Sequence, residues 1–138
     1  LKRVDGIFGM WTIWLGTHQV DKNIENNCDG SSLSFAHLYQ FGNNLGINLA
    51  FGSDFNGFIP QTRPRFSDTD EEYCPNQKVA RTGESFDTTG LGKMDQLPIL
   101  LKDIKNLGVD THSIEESAEK YIQVWERSLS NRNTEKTK

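Results

Sequence analysis

Cysteine and histidine are both scarce in this chain, and each scarcity closes off a class of protein. Two cysteines in 138 residues, Cys28 and Cys74, are too few for a disulfide scaffold and lack the C-x-x-C spacing of a metal or redox site. His18, His37 and His112 stand apart without H-x-H or H-E-x-x-H spacing, so they form no metal motif of their own. Basic residues are outnumbered by acidic ones, 15 to 19, and the net charge of -4 with a pI near 5.3 leaves no broad positive field for nucleic acid. Long apolar runs are missing too. Nothing approaches the roughly 20 residues that cross a bilayer, so no transmembrane segment is expected, and residues 6–16 lack the length and the small-residue cleavage site of a signal peptide. The chain opens on Leu1 instead of Met and soon enters a strand-like segment, which implies that sequence upstream has been removed or lies on another chain.

What is present is an α/β pattern. Gly6 to Gly16 is rich in β-branched and aromatic residues and bounded by glycines, which predicts a buried strand. The polar stretch from Thr17 to Gly30 predicts a loop. Ser31 or Ser32 can cap a helix carrying Leu33, Phe35, Ala36, Leu38, Tyr39 and Phe41, with Gly42 to Gly46 as its exit. Ile47 to Phe51 then predicts a second strand buried on both faces and parallel to the first, since the crossover is long enough. Ser53 to Gly92 is long and irregular, the composition of a binding or active-site loop. Beyond it, Leu97, Leu100, Leu101, Ile104 and Leu107 mark a helix with Pro98 in its first turn and Gly108 at its end. Ser113 and Glu116 have the spacing of a capping box ahead of an amphipathic helix through Leu129. Residues 1–130 are read as the structured part, and the polar tail 131–138 as disordered.

The second strand delivers Asp54 into Gly52-Ser53-Asp54-Phe55-Asn56-Gly57. Ligands of open α/β sheets and barrels sit at the carboxyl ends of the strands, so Asp54 is the candidate acid, base or metal ligand. Its bland alternative is a turn-capping aspartate. His18 lies beyond the first strand on the same expected face and offers a substrate or metal contact; a surface histidine is the competing reading. Arg63 and Arg65 offer a bidentate hold on a substrate carboxylate, against local pairing with Asp68, Asp70, Glu71 or Glu72. Gly90-Leu91-Gly92 ahead of a helix offers backbone amides to an anion. Trp11, Trp14 and Trp125 read as core or interface aromatics, and His37 and His112 as structural or surface residues. Cys28 and Cys74 each follow an expected strand, where they either pair, favouring an extracytoplasmic compartment, or stay reduced.

The Gly52–Gly57 motif after an apolar strand, the later Phe86-Asp87-Thr88-Thr89-Gly90-Leu91-Gly92 leading through Gln96-Leu97-Pro98, and Glu116-Ser117-Ala118-Glu119 running into Val124-Trp125-Glu126-Arg127 resemble the membrane dipeptidase family of the metal-dependent amidohydrolases. The resemblance spans most of residues 6–129. It implies the carboxyl-terminal portion of a (β/α)8 TIM barrel, with Gly6–Leu15 as the seventh strand and Ile47–Phe51 as the eighth. It also implies a zinc-dependent dipeptidase-like hydrolase with two metal ions, in which Asp54 moves protons and Asn56 stands beside the substrate. Relatives take their metal ligands from earlier strands and often carry His where this chain has Lys93. The chain is therefore expected to be inactive alone, and to need the missing amino-terminal part of the barrel before it can act on a small peptide. The rival expectation is a noncatalytic, self-associating α/β domain that covers its strand edges as a homo-oligomer.

Overall fold

The structure, a computed structural model, describes residues 5–13, 28–55, 58–66 and 82–135. Strand β1 (Ile7–Trp11) and strand β2 (Asn48–Gly52) pair in parallel, with Ile7 opposite Asn48 and Trp11 opposite Gly52. Helix α1 (Ser32–Asn44) lies between them in sequence, so the order is strand, helix, strand and the chain is mixed α/β. β1 is shorter than the sequence implies. Past Trp11 its regular pairing gives way to an isolated antiparallel bridge between Ile13 and Gln61, where the chain returning from β2 comes alongside.

Ser31 caps α1: its backbone is extended and its hydroxyl accepts the Leu33 amide at 3.1 Å, satisfying one of the donors left open at a helix start. Phe35, Ala36 and Tyr39 bury one face of α1 against Met10 and Leu49, and the Phe35 ring stacks on Phe51 with centroids 5.9 Å apart. Gly42 is not the exit that the sequence implies. It lies inside the helix, where a Cβ would come within 3.0 Å of the Leu49 side chain, so glycine permits close packing of helix on sheet. The turn out of α1 falls at Gly46, whose φ of 66° is left-handed.

The expectation of a buried first strand is corrected, whereas β2 is half-buried to buried along its length. Met10 and Leu49 are buried toward the helices, whereas Gly9 and Trp11, which alternate to the other face, are exposed. The other residues of that second face, Ile7, Asn48, Ala50 and Gly52, are half-buried.

Short helix α2 (Phe86–Thr89) precedes a 3-10 turn at Met94–Gln96 and helix α3 (Leu97–Asn106), which packs on α1 with Leu100 and Ile104 fully buried. Pro98 occupies its first turn and Gly108, with φ 80°, follows its end. The capping box expected at Ser113 does not form. Thr111 is the N-cap residue of α4 (His112–Glu115), and the Ser113 hydroxyl instead accepts the Leu49 amide at 2.8 Å, satisfying a donor on β2. A long-range backbone requirement outranks the local pattern.

Helix α5 (Ser117–Glu135) continues into the tail read as disordered, and Arg127 anchors it by donating to the Asp5 carbonyl at 2.7 Å. Trp125 is exposed, as is Trp11, so neither is a core aromatic; Trp14 lies outside the described residues. Among the described residues no helix is long and apolar enough to cross a membrane.

Candidate functional site

The parallel pairing of β1 and β2 brings both carboxyl ends to one side of the sheet. There the chain passes through Ser53 into Asp54, which is exposed and has a φ of 47°. Left-handed backbone is uncommon outside glycine. Aspartate tolerates it better than most residues, and such conformations gather where function requires them. A carboxylate in this conformation just past a strand end is the strongest functional signal among the described residues.

Thr12, the first residue after β1, organises the surroundings of Asp54. Its amide donates to the Gly52 carbonyl at 3.4 Å, extending the strand pairing by one step. Its hydroxyl lies 2.6 Å from Gln61 Oε1 and 3.3 Å from the Ser53 carbonyl, the peptide oxygen immediately before Asp54. Its own carbonyl accepts the Thr62 amide at 2.8 Å and the Thr62 hydroxyl at 2.6 Å. Thr12 has 0 % exposure. The returning segment continues past it, the Arg63 amide donating to the Gly30 carbonyl at 2.9 Å ahead of α1. Trp11 is 55 % exposed, its ring against Gly52 on the same side of the sheet.

The residues named from the sequence fall in different places. Asp54 reaches the expected face. Arg63 is half-buried, its backbone bridged to Ser31. Arg65 is 3 % exposed and pairs with Asp103 of α3, which is 1 % exposed, while the loop carboxylates Asp68, Asp70, Glu71 and Glu72 lie outside the described residues. Its Nε donates to Asp103 Oδ2 at 3.0 Å and its Nη2 to Oδ1, while the Ser32 hydroxyl also donates to Oδ2. The buried carboxylate joins α1, α3 and the return segment, and its separation in sequence hid it from local reasoning. His18 and Asn56 lie outside the described residues.

The anion site expected at Gly90-Leu91-Gly92 is also corrected, because these amides are already used. Leu91 donates to the Thr62 carbonyl at 2.9 Å, and Gly92 and Lys93 donate to Gln96 Oε1 at 2.7 and 3.2 Å. Gly90 has a φ of 68°, and a Cβ there would lie 2.4 Å from the Thr62 carbonyl, so this glycine serves close backbone approach. An open cavity of about 340 Å³ lined by Asn43, Asn44, Asp110 and His112 sits beside Ser113 at the amino end of β2, away from Asp54.

Cys28, just before α1, is disulfide-bonded, and the sequence's other cysteine is Cys74, outside the described residues. Among the described residues no three His, Cys, Asp or Glu side chains group closely enough to hold a metal ion. The Asp54 carboxylate can bear a proton or add one oxygen ligand to a metal centre. Sequence reasoning missed Thr12 and Gln61, although a hydroxyl residue inside the apolar run from Gly6 to Leu15 was a visible signal. No protein-family model, curated protein or solved structure matches the chain.

Proposed function

We propose that the chain is the carboxyl-terminal part of a metal-dependent hydrolase built on a (β/α)8 barrel. More particularly, it would serve a dipeptidase-like enzyme that cleaves a peptide or amide bond in a small substrate. The observation that carries this reading is Asp54: an exposed carboxylate, held in a left-handed backbone, directly beyond the carboxyl end of a parallel strand. In such an enzyme Asp54 takes the proton of the attacking water and returns it to the departing amine nitrogen, acting as general base and then general acid. Two zinc ions, bound through earlier strands, would make that water more acidic and polarise the scissile carbonyl. His18, Asn56 and Arg63 are the proposed substrate contacts. Arg65 is assigned to the fold instead, because its guanidinium is buried on Asp103.

The exposure of Gly9 and Trp11 supports the barrel, since further strands would cover them. The disulfide at Cys28 favours a periplasmic or secreted location. Dipeptide hydrolysis in the presence of zinc tests the reading: the isolated chain is expected to be inactive, and activity is expected when the upstream polypeptide is supplied. Zinc-dependent turnover by the isolated chain would refute it.

A second reading, a noncatalytic domain that self-associates as a homo-oligomer, is supported by the exposed Phe8, Trp11, Phe41 and Leu45. It predicts an oligomer in light scattering, and a folded monomer with protected strand amides contradicts it.

A further inference from the structure

We infer that Thr12 is a positioning residue for Asp54: it clasps both ends of the chain between β2 and Gln61 and fixes the peptide plane from which the Asp54 side chain is presented. The inference deepens the proposed function and rests on it for its catalytic meaning, while its structural content stands alone.

A left-handed aspartate backbone persists only where surrounding structure over-determines it. φ at Asp54 is rotation about its N–Cα bond, referred to the preceding peptide plane, whose oxygen is the Ser53 carbonyl. That oxygen lies 3.3 Å from the Thr12 hydroxyl, and the preceding carbonyl, Gly52, accepts the Thr12 amide at 3.4 Å. Two consecutive peptide groups before Asp54 therefore face one residue, Gly52 through the Thr12 amide and Ser53 through the longer branch of a hydroxyl proton shared with Gln61 Oε1. The far end of the same excursion is fixed there as well: Gln61 Oε1 lies 2.6 Å from the Thr12 hydroxyl, and Thr62 donates its amide and its hydroxyl to the Thr12 carbonyl.

Thr12 is completely buried, so water does not compete for these contacts and their geometry is held. Its amide, carbonyl and hydroxyl are all spent on the segment that carries Asp54. A residue kept only for packing in an apolar strand would be valine or isoleucine; the hydroxyl is the addition that reaches the site. A rigid first shell supported in this way is what precise placement of a proton-transfer group needs.

The test compares Thr12→Val, which keeps the shape and removes the hydroxyl, with Thr12→Ser, which keeps the hydroxyl, in the isotopically labelled 138-residue chain. A left-handed φ brings the amide proton close to its own Hα and gives a strong intraresidue cross-peak. Thr12→Val is expected to weaken that cross-peak several-fold at Asp54 while the Met10 and Leu49 amide resonances stay in place, and Thr12→Ser is expected to retain it. An undiminished Asp54 cross-peak in Thr12→Val overturns the inference. Should the valine chain fail to fold, the wild-type chain decides: the clasp predicts a slowly exchanging Thr12 hydroxyl proton with cross-peaks to the Gln61 side chain, and a fast-exchanging hydroxyl contradicts it. In the zinc-supplied complete enzyme, Thr12→Val should lower kcat far more than it changes KM, with Thr12→Ser restoring it. Absence of hydrolysis in the wild-type enzyme would refute the proposed function and leave the resonance comparison to judge the clasp.

Discussion

At the scale of single residues, two backbone conformations make opposite demands. Asp54 holds a left-handed φ with a side chain that disfavours it, so Asp54→Gly should stabilise the chain by about 0.5–1 kcal/mol, read as a higher urea midpoint. A lower midpoint would show that the carboxylate is kept for stability, and would remove the strain argument for function. Gly90 is the reverse case. A side chain there has a disfavoured φ and meets the Thr62 carbonyl at 2.4 Å, so Gly90→Ala should cost about 2–4 kcal/mol in the same assay. His37 adds a pH dependence. Burial holds its pKa below the ordinary histidine value, and its Nδ1 has no hydrogen-bond partner among the described residues. The unfolded histidine takes up a proton near its usual pKa of about 6.5 and the folded one only at lower pH. Between those values the unfolded chain binds more protons, so stability falls as pH drops below about 6.5 and levels off once both forms are protonated. Urea midpoints measured from neutral to mildly acidic pH should show this decline, and His37→Gln should flatten it.

At the scale of elements, the contact between α1, α3 and the return segment turns on Asp103. Removing one partner leaves a buried charge, so Arg65→Met should destabilise by about 3–5 kcal/mol, whereas Arg65→Met with Asp103→Leu should recover much of that loss. Equal losses in the single and double variants would mean that the pair's charge plays no part. This contact also marks where sequence reasoning stops. Helices α1 and α3 and the parallel strands are legible because Phe35, Ala36 and Tyr39, or Leu100 and Ile104, repeat with the period of the element they build. The partner of Arg65 is not legible, because no local rule reaches from a loop at residue 65 to a helix at residue 103. Ser113 shows the same limit from the other side: its spacing to Glu116 signals a cap, yet the Leu49 amide takes its hydroxyl. Of the candidate site, the position of Asp54 follows from the strand and the motif, while its left-handed φ and its clasp by Thr12 arise only when β1, β2 and the Gln61 segment meet.

At the scale of the whole molecule, the described residues form two parallel strands packed with helices, and the proposed function makes them part of a closed barrel. Sheets of this kind are ordinarily covered on both faces, and here Gly9 and Trp11 are exposed. Under the proposed function, further barrel strands would cover Gly9 and Trp11 and complete the site at Asp54. The most direct test is zinc-supported dipeptide hydrolysis by this chain joined to its upstream polypeptide, compared between wild type and Asp54→Asn. Asparagine keeps the size and tolerates the left-handed backbone but cannot move a proton, so the account predicts a fall in kcat of about 10²–10⁴-fold with the fold intact. Equal turnover by the two proteins would contradict it.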